Sequence, residues 1–137
     1  RFGDPEAQVV LPLIDEPLAP LLYAAATGAL RSREAQLSAH PHVGVVLAAE
    51  GYPGDVRTGQ RISGLERVTA VCPDVKVFHA GVKKQAGDLV TSGGRVLTVV
   101  ADGPTFDSAI DRVYRAAALV HFDGMQYRRD IGRKALS

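Results

Sequence analysis

Apolar residues along this chain change their spacing about a quarter of the way in, and the change separates two textures. In the first stretch the spacing is helical. Asp4-Pro5-Glu6 has the grammar of a helix start, with Asp4 placed to cap free N–H groups, Pro5 suited to the first helical position and Glu6 suited to the positive end of the dipole. This predicts a helix from about Pro5 toward Ile14 that Pro12 kinks or ends. Leu18, Leu21, Leu22, Ala25 and Ala29, following Asp15-Glu16-Pro17, predict a second helix whose last turn Gly28 weakens. From Leu30 to Pro41 the chain turns polar and keeps no period, which marks a seam, and the domains are expected to be 1–38 and 39–137.

Beyond the seam, runs of β-branched and apolar residues bounded by Gly, Pro or Asp predict strands at Val43–Ala49, Val75–Ala80 and Arg95–Ala101. Shorter strands are expected at Arg61–Ser63, Arg67–Cys72 and Asp88–Thr91. One long helix interrupts them, with Phe106, Ile110, Val113, Ala117 and Val120 on one stripe, Thr105 as its cap and Gly124 as its stop. A stripe of that kind needs a sheet to cover. The expected fold is α+β, a mostly antiparallel sheet with a covering helix, preceded by helices.

Length and charge narrow the functions open to such a fold. At 137 residues the chain can bury roughly two-thirds of its unfolded surface and needs no disulfide or metal staple. Sixteen Lys and Arg against 15 Asp and Glu leave no global field to recruit nucleic acid or an anionic membrane, so any anion site must be local. Aromatic residues are too few for base stacking, and the apolar runs fall short of the roughly 20 residues a membrane span requires. The chain opens on Arg1 with neither an initiator Met nor a signal peptide, so it is expected to be an internal piece of something longer, in the reducing cytoplasm that its single Cys suits.

Chemistry concentrates in a few strings. In Thr91-Ser92-Gly93-Gly94-Arg95 the glycines can present successive N–H groups to an anion beside the Arg95 fork. A Gly pair between strands is also an ordinary hairpin turn, and on residue type alone that is the default. Lys83, in Phe78-His79-Ala80-Gly81-Val82-Lys83, can reach an anion beside Arg95 if the two strands pair; a solvated loop-end charge is the plainer reading. Glu50-Gly51-Tyr52-Pro53-Gly54-Asp55 is either a functional loop hung on a rigid strand or simply a sharp turn. His40 and His42 share a spacing that suits two metal ligands but lack a third. Cys72 reads as an inert buried thiol. At the N-terminus, Arg1, Asp4 and the helix start could clamp a zwitterion, against a default of a helix cap and a free Arg.

Five strings in order, Arg1-Phe2-Gly3-Asp4-Pro5-Glu6, Gly51-Tyr52-Pro53-Gly54-Asp55, Phe78-His79-Ala80-Gly81, Gly93-Gly94-Arg95-Val96-Leu97 and Arg129-Asp130-Ile131-Gly132, resemble the C-terminal part of the phosphoribosylamine-glycine ligases, or glycinamide ribonucleotide synthetases. The resemblance implies an ATP-grasp ligase of purine biosynthesis that joins glycine to 5-phosphoribosylamine through a glycyl phosphate. It implies that residues up to about Leu30 finish the ATP-grasp core and that the rest is the small C-terminal domain. Implied substrate contacts are Arg1, Gly3, Asp4, Pro5, Lys83, Ser92, Gly93, Gly94 and Arg95. Catalytic and metal residues are implied to lie upstream, as are the ligands of ATP and of magnesium or manganese. The 137 residues are therefore expected to be inactive alone and to pack against the N-terminal and ATP-grasp domains of the same protein. At Val82 the family usually has Thr. The competing expectation is a non-catalytic anion-binding or interaction module with the same fold, and a sister ATP-grasp enzyme of the purine pathway is a third.

Overall fold

The computed structural model describes residues 1–31 and 34–136. Its elements run α1 (Glu6–Leu13), α2 (Leu18–Ala26), β1 (His42–Ala48), α3 (Leu65–Val71), β2 (Lys76–His79), β3 (Val82–Gln85), β4 (Asp88–Thr91), β5 (Arg95–Asp102) and α4 (Phe106–Ala117), with a 3-10 turn at Arg133–Leu136. β1, β5 and β2 form an antiparallel sheet in that order, and β3 pairs with β4 in a separate hairpin. The fold is α+β.

β5 lies in the middle and is apolar nearly throughout, because both of its faces are covered. Toward α4 the sheet presents Val43, Val45 and Leu47 of β1 beside Leu97, Val99 and Ala101 of β5, packed on Ala109, Val113, Ala116 and Ala117. The alternate residues, Gly44, Thr98 and Val100, face α1, where Val9 comes so near that a Cβ on Gly44 would meet it at 2.6 Å. α4 is the covering helix, and α1 adds a partial layer on the other side. Thr105 caps α4 in a capping box with Ser108, which returns its hydroxyl to the Thr105 N–H.

Several local readings are corrected. Arg67–Cys72 is not a strand but lies largely within α3: its β-branched residues favour a strand, yet Leu65, Val68 and Cys72, three and four apart, all reach the core. Gly64 opens that helix at φ +89°, where a Cβ would strike the Leu119 carbonyl. Arg61–Ser63 forms only single bridges, from Arg61 to Val90 and from Ser63 to His121. α4 ends at Ala117, well before Gly124, because Leu119 and Val120 tighten its last turn, and Phe106 stays exposed while Ala109 takes its place in the stripe. Asp4 does not cap α1: Pro5 occupies the cap position, and the Asp4 carboxylate turns elsewhere.

β3 is a strand that the residue pattern does not predict. It exists because Ala86 and Gly87 both adopt positive φ, the geometry of a tight two-residue hairpin. In the seam, Ile14 bridges Leu37, Asp15 N–H donates to the Gln36 carbonyl and Ser38 N–H to that of Leu13, so residues 36–38 return alongside the end of α1. Ser32 and Arg33, in the same stretch, lie outside the described residues.

Candidate functional site

The start of β5 brings two distant charges together. Arg95 Nη2 donates to Asp4 Oδ2 at 2.9 Å, joining residues 91 apart in sequence, and Gln8 Nε2 donates to the other oxygen of Asp4 at 3.3 Å. Both partners of the ion pair are partly open to solvent, which keeps its own contribution to stability within about 1 kcal/mol. One of the five guanidinium N–H donors is thereby used, and the others have no partner among the described residues. The pair opens on a cleft of about 580 Å³ whose walls are Tyr52, Pro53, Gly54, Ala80, Gly81 and Gly94.

Glycines make the close approaches that build this cleft. Gly81 N–H donates to the Arg95 carbonyl and Ser92 N–H to the Gly81 carbonyl, so the two backbones nearly touch. A Cβ on Gly81 would lie 2.8 Å from Gly93 and from the Arg95 oxygen. The Tyr52 ring lies over Gly94, where a Cβ would sit 2.4 Å from it. Behind that ring is a second, largely apolar cavity of about 440 Å³, between the outer edge of β1 and the segment Gln126–Ile131, with Pro5 at its mouth. The bonds Asp4–Pro5 and Tyr52–Pro53, at the rims of these spaces, are both cis.

The structure therefore gathers Asp4, Gly94 and Arg95 at one cleft and places Pro5 at its neighbour. The remaining implied contacts fall outside these linings. Arg1 is exposed and donates to the Phe2 carbonyl, and the Gly3 carbonyl accepts from Ala7 N–H. Ser92 is exposed, and Gly93 packs on Gly81. Lys83 stands in β3 opposite Val90, in the sheet to which Arg95 does not belong. Neither local reading of Gly93-Gly94 survives: the flanking strands β4 and β5 belong to different sheets, so there is no hairpin turn, and neither glycine has the positive φ on which an alternating N–H nest depends. Their role is to let backbone and ring approach.

Away from the cleft, His40 meets Asp102 at 3.1 Å, Arg112 donates to the Asp102 carbonyl and to Asp74, and His42 Nδ1 lies 3.0 Å from the His40 carbonyl. Burial opposes ionisation of Asp102, but the hydrogen bond with His40, its own backbone N–H and the charge of Arg112 together hold its carboxyl below the usual range. A bidentate hydrogen bond from Arg128 does the same for Asp130. No three His, Cys, Asp or Glu side chains among the described residues converge as a metal centre would require. None of the described helices is long and apolar enough to cross a membrane.

Fold and sequence together define the class: residues 42–134 match the family model described as phosphoribosylglycinamide synthetase, C domain, and the chain belongs to that family. Curated relatives carry the name phosphoribosylamine–glycine ligase. One from Synechocystis is 49% identical over 99% of this chain and 32% of its own length, and one from Pseudomonas aeruginosa is 45% identical over 100% and 32%. The crystal structure of phosphoribosylamine–glycine ligase from Thermotoga maritima superposes with a TM-score of 0.82 at 36% identity, over 95% of this chain and 31% of that one. The chain spans about a third of the length of the relatives it matches.

Proposed function

We propose that these residues form the C-terminal third of an ATP-dependent phosphoribosylamine–glycine ligase, and that the Asp4–Arg95 cleft is part of its substrate wall. In this reading ATP phosphorylates the carboxylate of glycine, and the amine of 5-phosphoribosylamine attacks the acyl phosphate to give glycinamide ribonucleotide. ATP and magnesium or manganese belong to the parts of the ligase outside these residues. The boundary near residue 38 is kept as the end of the ATP-grasp core, and α2, which buries none of its residues and exposes Leu22 and Tyr23, gains its cover from that core. The single free thiol accords with a cytoplasmic location.

The observation that carries this reading is the ion pair itself. Two opposite charges held side by side at an open cleft suit a reaction whose substrates bring an ammonium and a phosphate dianion. Asp4 is assigned to the ammonium of glycine, and the unpaired edge of the Arg95 guanidinium to the phosphate of phosphoribosylamine. Of the other implied contacts, Gly94 and Pro5 are retained as walls, while Arg1, Gly3, Lys83, Ser92 and Gly93 are assigned only to the surroundings of the site. Arg95→Lys in the ligase carrying this segment tests the reading, because an ammonium cannot reproduce the planar fork. The expected result is weaker phosphoribosylamine binding by about 1–3 kcal/mol, with the KM values of ATP and glycine little changed. Wild-type kinetics for phosphoribosylamine would overturn the assignment.

A further inference from the structure

Among the described residues, Tyr52 alone lines both the charged cleft and the apolar cavity behind it, while Asp4 lines the first and its neighbour Pro5 the second. Its ring is seated on Gly94, where nothing larger than hydrogen fits without displacing it. Its hydroxyl has no partner among the described residues, and the residue is 36% exposed. The backbone beneath is held by a side chain from far along the chain: the Gln126 amide nitrogen donates both to the Ala49 carbonyl at 3.1 Å and to the Tyr52 carbonyl at 3.0 Å. Gln126 is itself anchored, because its backbone pairs with Ala48 through two hydrogen bonds of 2.8 and 2.9 Å. One amide thus fastens the turn carrying Tyr52 to the edge of β1.

We propose that Tyr52 is a substrate-contacting residue for the sugar-phosphate substrate and that Gln126 is its positioning residue. The proposal rests on the cleft being the phosphoribosylamine wall and deepens that reading. The cleft is roomy for glycine and of a scale for a pentose phosphate, the guanidinium supplies charge at one side, and the phenol supplies a flat wall and a free hydroxyl at another. The ring also keeps that polar substrate out of the apolar space behind, which offers it no compensating hydrogen bonds. Gln126 touches no substrate in this arrangement. It acts by satisfying the Tyr52 carbonyl, which a side chain without N–H donors would leave unpaired, and by giving the Ala49 carbonyl a second donor beside the Tyr52 N–H, so that its loss frees the turn to drift.

The test uses the ligase carrying this segment, with Tyr52→Phe, Tyr52→Ala and Gln126→Leu compared with Arg95→Lys. Tyr52→Ala and Gln126→Leu are each expected to raise the KM for phosphoribosylamine by about tenfold or more while leaving the KM values of glycine and ATP within about twofold, with a smaller rise for Tyr52→Phe. A purely structural role would move all three KM values together, or only the melting temperature, and either outcome overturns the proposal. Should Arg95→Lys raise the phosphoribosylamine KM while the Tyr52 variants leave it unchanged, the cleft reading stands and the role of Tyr52 is rejected. Should Arg95→Lys also have no effect, the cleft reading itself fails.

Discussion

A single hydrogen in place of a methyl group decides how closely the walls of the cleft can approach. Gly81 and Gly94 both sit where a Cβ would clash, but the clashes differ in kind. At Gly81 the obstacles are backbone atoms of Gly93 and Arg95, which no rotamer change can remove, whereas at Gly94 the obstacle is the Tyr52 ring, which can swing. Gly81→Ala should therefore destabilise the protein by about 1–3 kcal/mol and lower its melting temperature by several degrees, more than Gly94→Ala does. Thermal unfolding of the two variants checks the order; a larger loss for Gly94→Ala would mean that the ring is clamped as firmly as backbone. Nothing in the local sequence distinguishes the two glycines. Both read as turn residues until the strands around them are assigned to different sheets.

α4 shows the opposite situation, an element whose start and core-facing Val113 are legible from its own residues although its end is not. Thr105 and Ser108 satisfy each other's groups at its start, and Val113 lies fully buried where the stripe meets β1 and β5. Thr105→Ala should cost about 1 kcal/mol by exposing one end of the capping box, and Val113→Ala about 2 kcal/mol by leaving a void that the packed sheet cannot fill. Chemical denaturation with an unchanged slope would support both figures. Equal losses would indicate that the helix start is held by something besides its cap. α3 resisted the same kind of reading because Val68, Thr69 and Val71 carry strand propensity, and only the core positions of Leu65, Val68 and Cys72 decide for a helix.

Across the whole molecule, Asp102 links three parts: the end of β5, the seam through His40, and α4 through Arg112. Its carboxyl is held below the usual range in the folded state, so it binds a proton more readily when unfolded. Its contribution to stability is therefore present in full above the ordinary carboxylate pKa near 4 and is lost as pH falls through the depressed folded value. Asp102→Asn should lower stability at neutral pH and reduce the slope of stability against pH below about pH 4, as followed by urea unfolding over pH 2–7. An unchanged acid slope would assign the acid sensitivity to other carboxylates.

By itself the sequence determined whatever depends on near neighbours: the helix opened by Thr105, the strands β1, β2 and β5 from their β-branched runs, and the five ordered strings of the ligase family. These are set by spacing and capping within a few residues, where side-chain chemistry acts directly on the backbone. Tertiary structure alone decided that Asp4 leaves its helix to meet Arg95, that Lys83 falls in a separate hairpin from Arg95, and that the Gly93-Gly94 pair is a crossing between sheets. It also decided that Gln126 reaches back to Tyr52. Each of these depends on which strands lie side by side. That order follows from burying both faces of β5 at once, a property of the assembled layers that no short stretch of residues carries.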